Sequence, residues 1–389
     1  MRTPPRDTCQ HPWRLTVGVA ALCAGFLVAV PATASGQGVA MCDETAATIV
    51  GTDGDDLLLG TDGADVIAGL GGNDEIIGGL GDDQICGGPG NDHISGGPGN
   101  DDIFADEGDD LVRGGGGADD LHGGDGADEL KGGPGGDLLF GGPGADTIKG
   151  GAGNDVLFGD EGSDTLVGNR GSDSLEDSAF DPGLLGEGDH FRGGPGIDFL
   201  AAGPGSRMLD GGTGSDAVVA VGLEESVIDI AAGTVTAPGG NLSTIMNIEN
   251  AIGGSVMRGD DGPNELFAAI EAQGVVLEGR GGDDILFGSF GDDRVVGGPG
   301  DDVLVGLRGR DVLIGLRGHD RLNGGPGRDV LRGGHGEDDL QGHGGSDFLF
   351  GGPANDSRNG GGGIDELDGG GGTDECINGE TVVNCEGPV

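Results

Sequence analysis

GGPGNDHIS-GGPGNDDIF, residues 87–104, is the stretch whose reading decides the fold. Two consecutive nine-residue units share glycine at positions 1, 2 and 4, aspartate at position 6 and isoleucine at position 8. Working outward, the register holds without an insertion from Gly51 to Glu176, fourteen units from GTDGDDLLL to GNRGSDSLE. A second unbroken tract runs from Gly279 to Ile377, eleven units that include GGPGDDVLV and GGHGEDDLQ. Position 6 is Asp in all 25 units and position 8 is aliphatic in 23, the exceptions being Arg358 and Cys376. The 389 residues include 95 Gly, 12 Phe, one Trp and no Tyr, a composition that taken alone describes a disordered chain. A register this strict is instead the mark of a repeat architecture. Collagen needs glycine at every third position, and that period is absent.

The nine positions have separate physical jobs. Glycine at 1, 2 and 4 lets the backbone turn tightly through positive φ. Proline recurs at position 3 (Pro89, Pro98, Pro134, Pro143, Pro299, Pro326), a turn site where a missing N–H is tolerated. Positions 7 to 9 form a short strand whose alternation puts position 8 on the opposite face from 7 and 9. Ile85, Ile94, Ile103, Val112 and Leu121 therefore stack inward. Two units make one flattened coil of 18 residues, with the next coil pairing about 4.8 Å above it. The fold class is all-β.

Stacking sets each sixth-position Asp above the Asp two units on, so that Asp56, Asp74 and Asp92 line one edge and Asp65, Asp83 and Asp101 the other. Such ladders repel by about 1 kcal/mol per pair at 4 Å even in water. A cation reverses the sign. Carboxylates with turn carbonyls supply the hard oxygens that Ca²⁺ takes, about six to eight of them, whereas Mg²⁺ demands a tighter octahedron. The expected ligands in the first tract are Asp56, Asp65, Asp74, Asp83, Asp92, Asp101, Asp110, Asp119, Asp128, Asp137, Asp146, Asp155, Asp164 and Asp173. Asp189, Asp198 and Asp216 continue them. The second tract adds Asp284, Asp293, Asp302, Asp311, Asp320, Asp329, Asp338, Asp347, Asp365 and Asp374. Several ions are expected, and folding coupled to binding them.

These tracts resemble the RTX (hemolysin-type) calcium-binding repeats, and with the looser middle segment the resemblance covers nearly all of the chain after residue 34. VIDIAAGTVTA (227–237) and NIENAIGGSVMRGDDGPNEL (247–266) are similar to the linker coils of such proteins. The resemblance implies a right-handed parallel β-roll, each Ca²⁺ held between turns by sixth-position carboxylates and glycine-turn carbonyls. It says little of biological role, since such rolls accompany proteases, lipases, toxins, epimerases and adhesins.

The expected organisation is a signal peptide (1–34), a lead or cap (35–50), the first roll tract (51–176), a degenerate bridge with an insertion at 177–183 (177–278), the second tract (279–377) and a C-terminal cap (378–389). Arg2, Arg6 and Arg14 precede the apolar run Leu15 to Val30, and Ala32-Thr33-Ala34 offers a cleavage site, the layout of a secretory leader. A secreted or extracellular location follows, cell-surface association included, with no membrane span left after cleavage. Export leaves Cys42, Cys86, Cys376 and Cys385, compatible with two disulfides; the local pair Cys376–Cys385 is favoured, leaving Cys42–Cys86. In the bridge Arg207 takes the place of Asp, residues 220–258 lose the period, and Asn264 stands at position 6 of GDDGPNELF.

A net charge of −50 repels nucleic acid and anionic membranes. No H-E-x-x-H or G-x-S-x-G motif is present, and the histidines (His93, His122, His190, His319, His335, His343) occupy variable positions as surface residues. The expected function is a non-enzymatic structural calcium binder, acting as a monomer. The alternatives are a calcium-dependent adhesin for a protein or polysaccharide partner, and a polysaccharide-modifying enzyme. Two sets of side chains have two readings each. Arg308, Arg310, Arg317, Arg321, Arg328 and Arg332 form a solvated face that offsets the acidic excess or, alternatively, Arg–Asp pairs that replace Ca²⁺. Phe104, Phe140 and Phe158 are ordinary strand decoration or, alternatively, a docking patch.

Overall fold

Each unit uses six residues to turn and has three left to extend, and the early roll strands of the protein have that length. A computed structural model describes residues 40–43, 45–176, 189–202, 208–220, 226–236 and 242–385; the segment expected as a signal peptide (1–34) and the expected insertion at 177–183 lie outside them. Early strands such as Leu57–Leu59, Val66–Ala68, Glu75–Ile77 and Gln84–Cys86 occupy positions 7 to 9. Further along, as in His93–Pro98 and Asp102–Glu107, the pairing runs on into the next turn. There is no helix among the described residues.

Consecutive strands alternate between two parallel sheets. In the first sheet Ile94 pairs with Val112 and Val112 with Leu130. In the second, Ile103 pairs with Leu121 and Leu121 with Leu139. The 18-residue offset is the predicted coil, repeated through about 17 turns of a β-solenoid. Between the sheets lies one layer of position-8 side chains: Ile76, Ile94, Val112, Leu130 and Ile148 face Ile67, Ile85, Ile103, Leu121 and Leu139, all fully buried. Positions 7 and 9 point outward. Around the undescribed insertion the stack continues, since Thr165 pairs with His190 and Ser174 with Phe199. One coil there is 25 residues long instead of 18.

The bridge is joined to both tracts by strand pairing, so the sheets run through it. The second sheet passes directly from Phe199–Ala202 to Ala217–Ala220, Asn250–Ile252 and Glu265–Phe267. The first sheet does not. Met208–Gly214 pairs parallel with Leu242–Met246, which pairs antiparallel with Thr234–Thr236, then antiparallel with Val227–Asp229, then parallel with Val256–Arg258. The loss of period across 220–258 thus marks a hairpin wedged into one sheet. Its two extra strands make that side about 10 Å longer, at about 4.8 Å each. Ile228, Val235 and Ile245 keep the wedge on the core.

The ends are tied covalently. Cys42, in the hairpin Met41–Cys42 with Thr45–Ala46, is bonded to Cys86, and Cys376 to Cys385. Thr381–Val383 adds the last strand of the first sheet.

Candidate metal centre

The turns place every sixth-position Asp of the candidate set where water does not reach its carboxylate, with the first coil, Asp56 and Asp65, half-exposed. The unit 87–95 shows why the sequence needs glycine there. A methyl group on Gly87 would collide with Oδ2 of Asp92 and the carbonyl of Ala105 one coil on. Gly90 has φ 149°, and a side chain there would meet the carbonyl of Gly72. The turn backbones of successive coils are therefore in contact, carbonyls directed at the neighbouring turn.

One oxygen of each carboxylate has a fixed task. The Asp74 N–H donates to Asp92 Oδ1 at 2.7 Å, Asp92 to Asp110 at 2.6 Å and Asp110 to Asp128 at 2.8 Å. The other edge has the same chain, from Asp83 through Asp101 and Asp119 to Asp137. Where a column reaches a non-repeat turn, a glutamate takes over the role: Glu249 Oε2 accepts from the Asp216 N–H and Glu380 Oε2 from Asp365. The second oxygen has no such partner. Across the candidate set, apart from Asp56, Asp65, Asp164, Asp189 and Asp293, Oδ2 is buried and accepts no hydrogen bond. A buried polar atom left unpaired costs about 1–3 kcal/mol, more when charged. Repeated along both columns, that cost marks a missing counter-charge.

The acidities agree. Burial, opposed by the backbone N–H bond and reinforced by neighbouring Asp charges, raises Asp92 and Asp101 to about 6 and Asp110 to about 7. In the second tract Asp284, Asp311, Asp320 and Asp329 rise to about 7, again chiefly through burial. The oxygens fit Ca²⁺: one carboxylate and several turn carbonyls per coil, contributed by two coils, form an all-oxygen set for a large hard cation. The residues that would hold it are the sixth-position Asp with unpartnered Oδ2 and the turn carbonyls beside them.

Three members of the candidate set stand apart for a local reason. Thr52 donates to Asp56 Oδ2 from its N–H at 2.6 Å and its hydroxyl at 2.8 Å, and Thr61 does the same for Asp65. Ser289 bonds Asp293 through its N–H and hydroxyl. These position-2 residues keep negative φ, whereas Leu70, Asp106, Asn169 and Leu316 at the same position have φ between 76° and 91°. A hydroxyl residue at position 2 thus selects a turn that satisfies its own Asp. Asn264 behaves alike, accepting from the Asp260 N–H.

Other expectations met a different geometry. No ion pair among the described residues involves the arginines of 308–332; Arg308, Arg328 and Arg332 lie over Phe290, Phe348 and Phe350 instead. The reason is reach: their side chains, at positions 3, 5, 7 and 9, leave the coil outward, away from the buried carboxylates. The internal Arg–Asp contact belongs to Arg358, completely buried beside Asp356, an Asp outside the candidate set. Phe104, Phe140 and Phe158 do share a face, with His122 completing a stack at 4.7–4.9 Å between rings. His122 also joins Asp102 and Asp120, whose ligand atoms lie within 4.8 Å of its own and of one another, a grouping hidden in the sequence by the 18-residue spacing.

Comparison with known proteins gives the same reading. The model of the RTX calcium-binding nonapeptide repeat (4 copies) matches residues 50–85, 85–112, 113–148, 140–175, 186–218, 278–313, 296–331 and 314–349, more than half of the chain. No curated protein matches it. Among solved structures, the extracellular lipase LipA from Serratia marcescens is similar at 21% identity, covering 54% of this chain and 33% of the lipase, with a TM-score of 0.16. The chain spans about a third of that lipase's length. With the repeat matched along both tracts and its aspartates aligned in two buried columns, the chain belongs to the RTX calcium-binding nonapeptide repeat family.

Proposed function

We propose that this protein is a calcium-assembled extracellular scaffold, with no catalysis of its own, whose coils fold and stiffen when Ca²⁺ enters the two Asp columns. The observation that carries the reading is the run of buried Oδ2 atoms without hydrogen-bond partners. A single layer of aliphatics is a thin core, and the columns add repulsion to it; bound cations turn that repulsion into attraction. Asp56, Asp65 and Asp293, already bonded by Thr52, Thr61 and Ser289, would hold metal weakly or not at all. The secretory layout of residues 1–34 and the paired cysteines support an extracellular setting, where calcium is abundant.

The test is a far-UV circular dichroism titration of the mature chain with Ca²⁺ and with Mg²⁺. Cooperative gain of β signal with Ca²⁺, and little with Mg²⁺, is expected; full β signal in chelator would refute the proposal. One observation favours a partner-binding role in addition: the outward stack Phe104, His122, Phe140 and Phe158. Loss of calcium-dependent surface or polysaccharide binding in Phe140→Ala would support it, and unchanged binding would remove it.

A further inference from the structure

The unit GGPANDSRN, residues 351–359, breaks the repeat at two places. Ala354 stands where glycine belongs and is held at φ 116°, and Arg358 occupies the inward position that is aliphatic in every other unit of the two tracts except the one with Cys376. Its strand neighbours in register are Leu340 and Cys376. Arg358 is 0% exposed, the largest fully buried side chain among the described residues. An isolated guanidinium in such a layer would be very costly; this one is not isolated.

Nη1 donates to the carbonyl of Gly369 at 3.0 Å and lies 3.5 Å from Asp356 Oδ2, while Nη2 lies 3.4 Å from Asp374 Oδ1. These are the groups that border the corresponding space in other turns. A methyl group on Gly315 would touch Asp320 Oδ2 and the Gly333 carbonyl; on Gly87, Asp92 Oδ2 and the Ala105 carbonyl; on Gly351, Asp356 Oδ2, the Gly369 carbonyl and Arg358 Nη1. The guanidinium therefore supplies positive charge where the other turns present only oxygens. Burial raises the Asp356 pKa above its ordinary value, and the Asp338 N–H bond and the Arg358 charge oppose that rise.

We propose that Arg358 is a resident cation that replaces one calcium ion between the Asp356 and Asp374 turns, closing the C-terminal end of the second sheet's column without metal. This rests on the reading of the other turns as calcium sites. The planar fork of arginine reaches two carboxylates one coil apart, which a point charge on a shorter stem would not do as well.

The experiment counts Ca²⁺ bound to the full mature chain by native mass spectrometry and calorimetry, for the wild type, Arg358→Leu and Arg358→Lys. Arg358→Leu restores the consensus side chain and should bind one ion more than the wild type, with protection of 351–377 from hydrogen exchange newly dependent on calcium. Arg358→Lys should keep the wild-type count. An unchanged count in Arg358→Leu overturns the inference while leaving the calcium reading intact; a wild type that binds no calcium overturns that reading itself. Should Arg358→Leu not fold at saturating Ca²⁺, a calcium-loaded crystal of the wild type decides. Arg358 between Asp356 and Asp374 with no ion beside them supports the inference, and an ion there with Arg358 displaced overturns it.

Discussion

The first tract and the bridge solve one problem, stacking acidic coils, by different means. In the tract each 18-residue coil repeats the last, the core is one residue deep, and most Asp of the two columns carry a buried Oδ2 that accepts no hydrogen bond among the described residues. Across residues 220–258 of the bridge the period is gone, and protein cations border that stretch. Asp229 Oδ2 lies 3.1 Å from Arg280 and 3.9 Å from Arg258, and Arg258 pairs with Glu278 at 3.0 Å. The wedge adds Ile228, Ile230, Val235, Ile245 and Ile248 to the core, and Asn264 replaces a column Asp with a neutral group that also donates to the Glu249 carbonyl. Regular repetition therefore delegates charge balance to a metal, while departure from the repeat lets side chains provide it.

The comparison breaks most visibly if the columns are disarmed. Replacing Asp101, Asp119 and Asp137 together by Asn removes three successive carboxylates from one column. The calcium midpoint of folding should rise by about tenfold or more, with fewer ions bound, as read by circular dichroism and calorimetry. Asp56→Asn with Asp65→Asn, at turns that satisfy themselves, should leave both nearly unchanged.

Acidity gives the next largest effect, and its sign is opposite with and without metal. In chelator, folded-state values of about 6 to 7 against an ordinary value near 3.8 mean that the folded columns keep protons the unfolded chain has released. Stability of the metal-free fold should then fall as pH rises from about 4 to about 7. A chelated sample should gain β signal when brought from about pH 7.5 to 5. With calcium present, protons compete for the same oxygens, so the calcium midpoint should worsen over the same acid shift.

A smaller contrast separates the cores. Leu139→Ala at saturating calcium removes the only buried hydrophobic side chain of its unit, and should cost about 2–5 kcal/mol. Ile228→Ala, where several aliphatics share the space, should fall at the low end of that range. Denaturant midpoints at fixed calcium would measure both. The least effect is expected from Arg258→Gln, since a one-third exposed ion pair contributes about 1 kcal/mol or less; raising the salt concentration should shrink the difference further.

Much of this was legible in the residues because nine-fold periodicity fixes three things at once: where the chain turns, which side chain faces inward, and which Asp lies above which. What stayed hidden was non-local or depended on one side chain overriding the pattern. The wedge could not be read because Leu242–Met246 pairs with Met208–Gly214 across more than thirty residues, with no period to announce it. The roles of Thr52, Thr61 and Ser289 depend on backbone φ and on their hydrogen bonds to the Asp, which a nine-residue pattern does not carry. Arg358 read as an exception to a hydrophobic rule, whereas its reach to Asp356 and Asp374 makes it part of the charge balance. The arginines of 308–332 carried the right charge but leave the turns on the wrong side, and they settle over phenylalanine rings.

Hydrogen exchange resolved along the full chain, in calcium and in chelator, tests the central claim most directly. If Asp columns fold through bound calcium, protection of residues 69–173 should be lost in chelator by orders of magnitude, and residues 226–278, with cations of their own, should lose less. Protection of 69–173 that is equal in calcium and chelator would contradict the account.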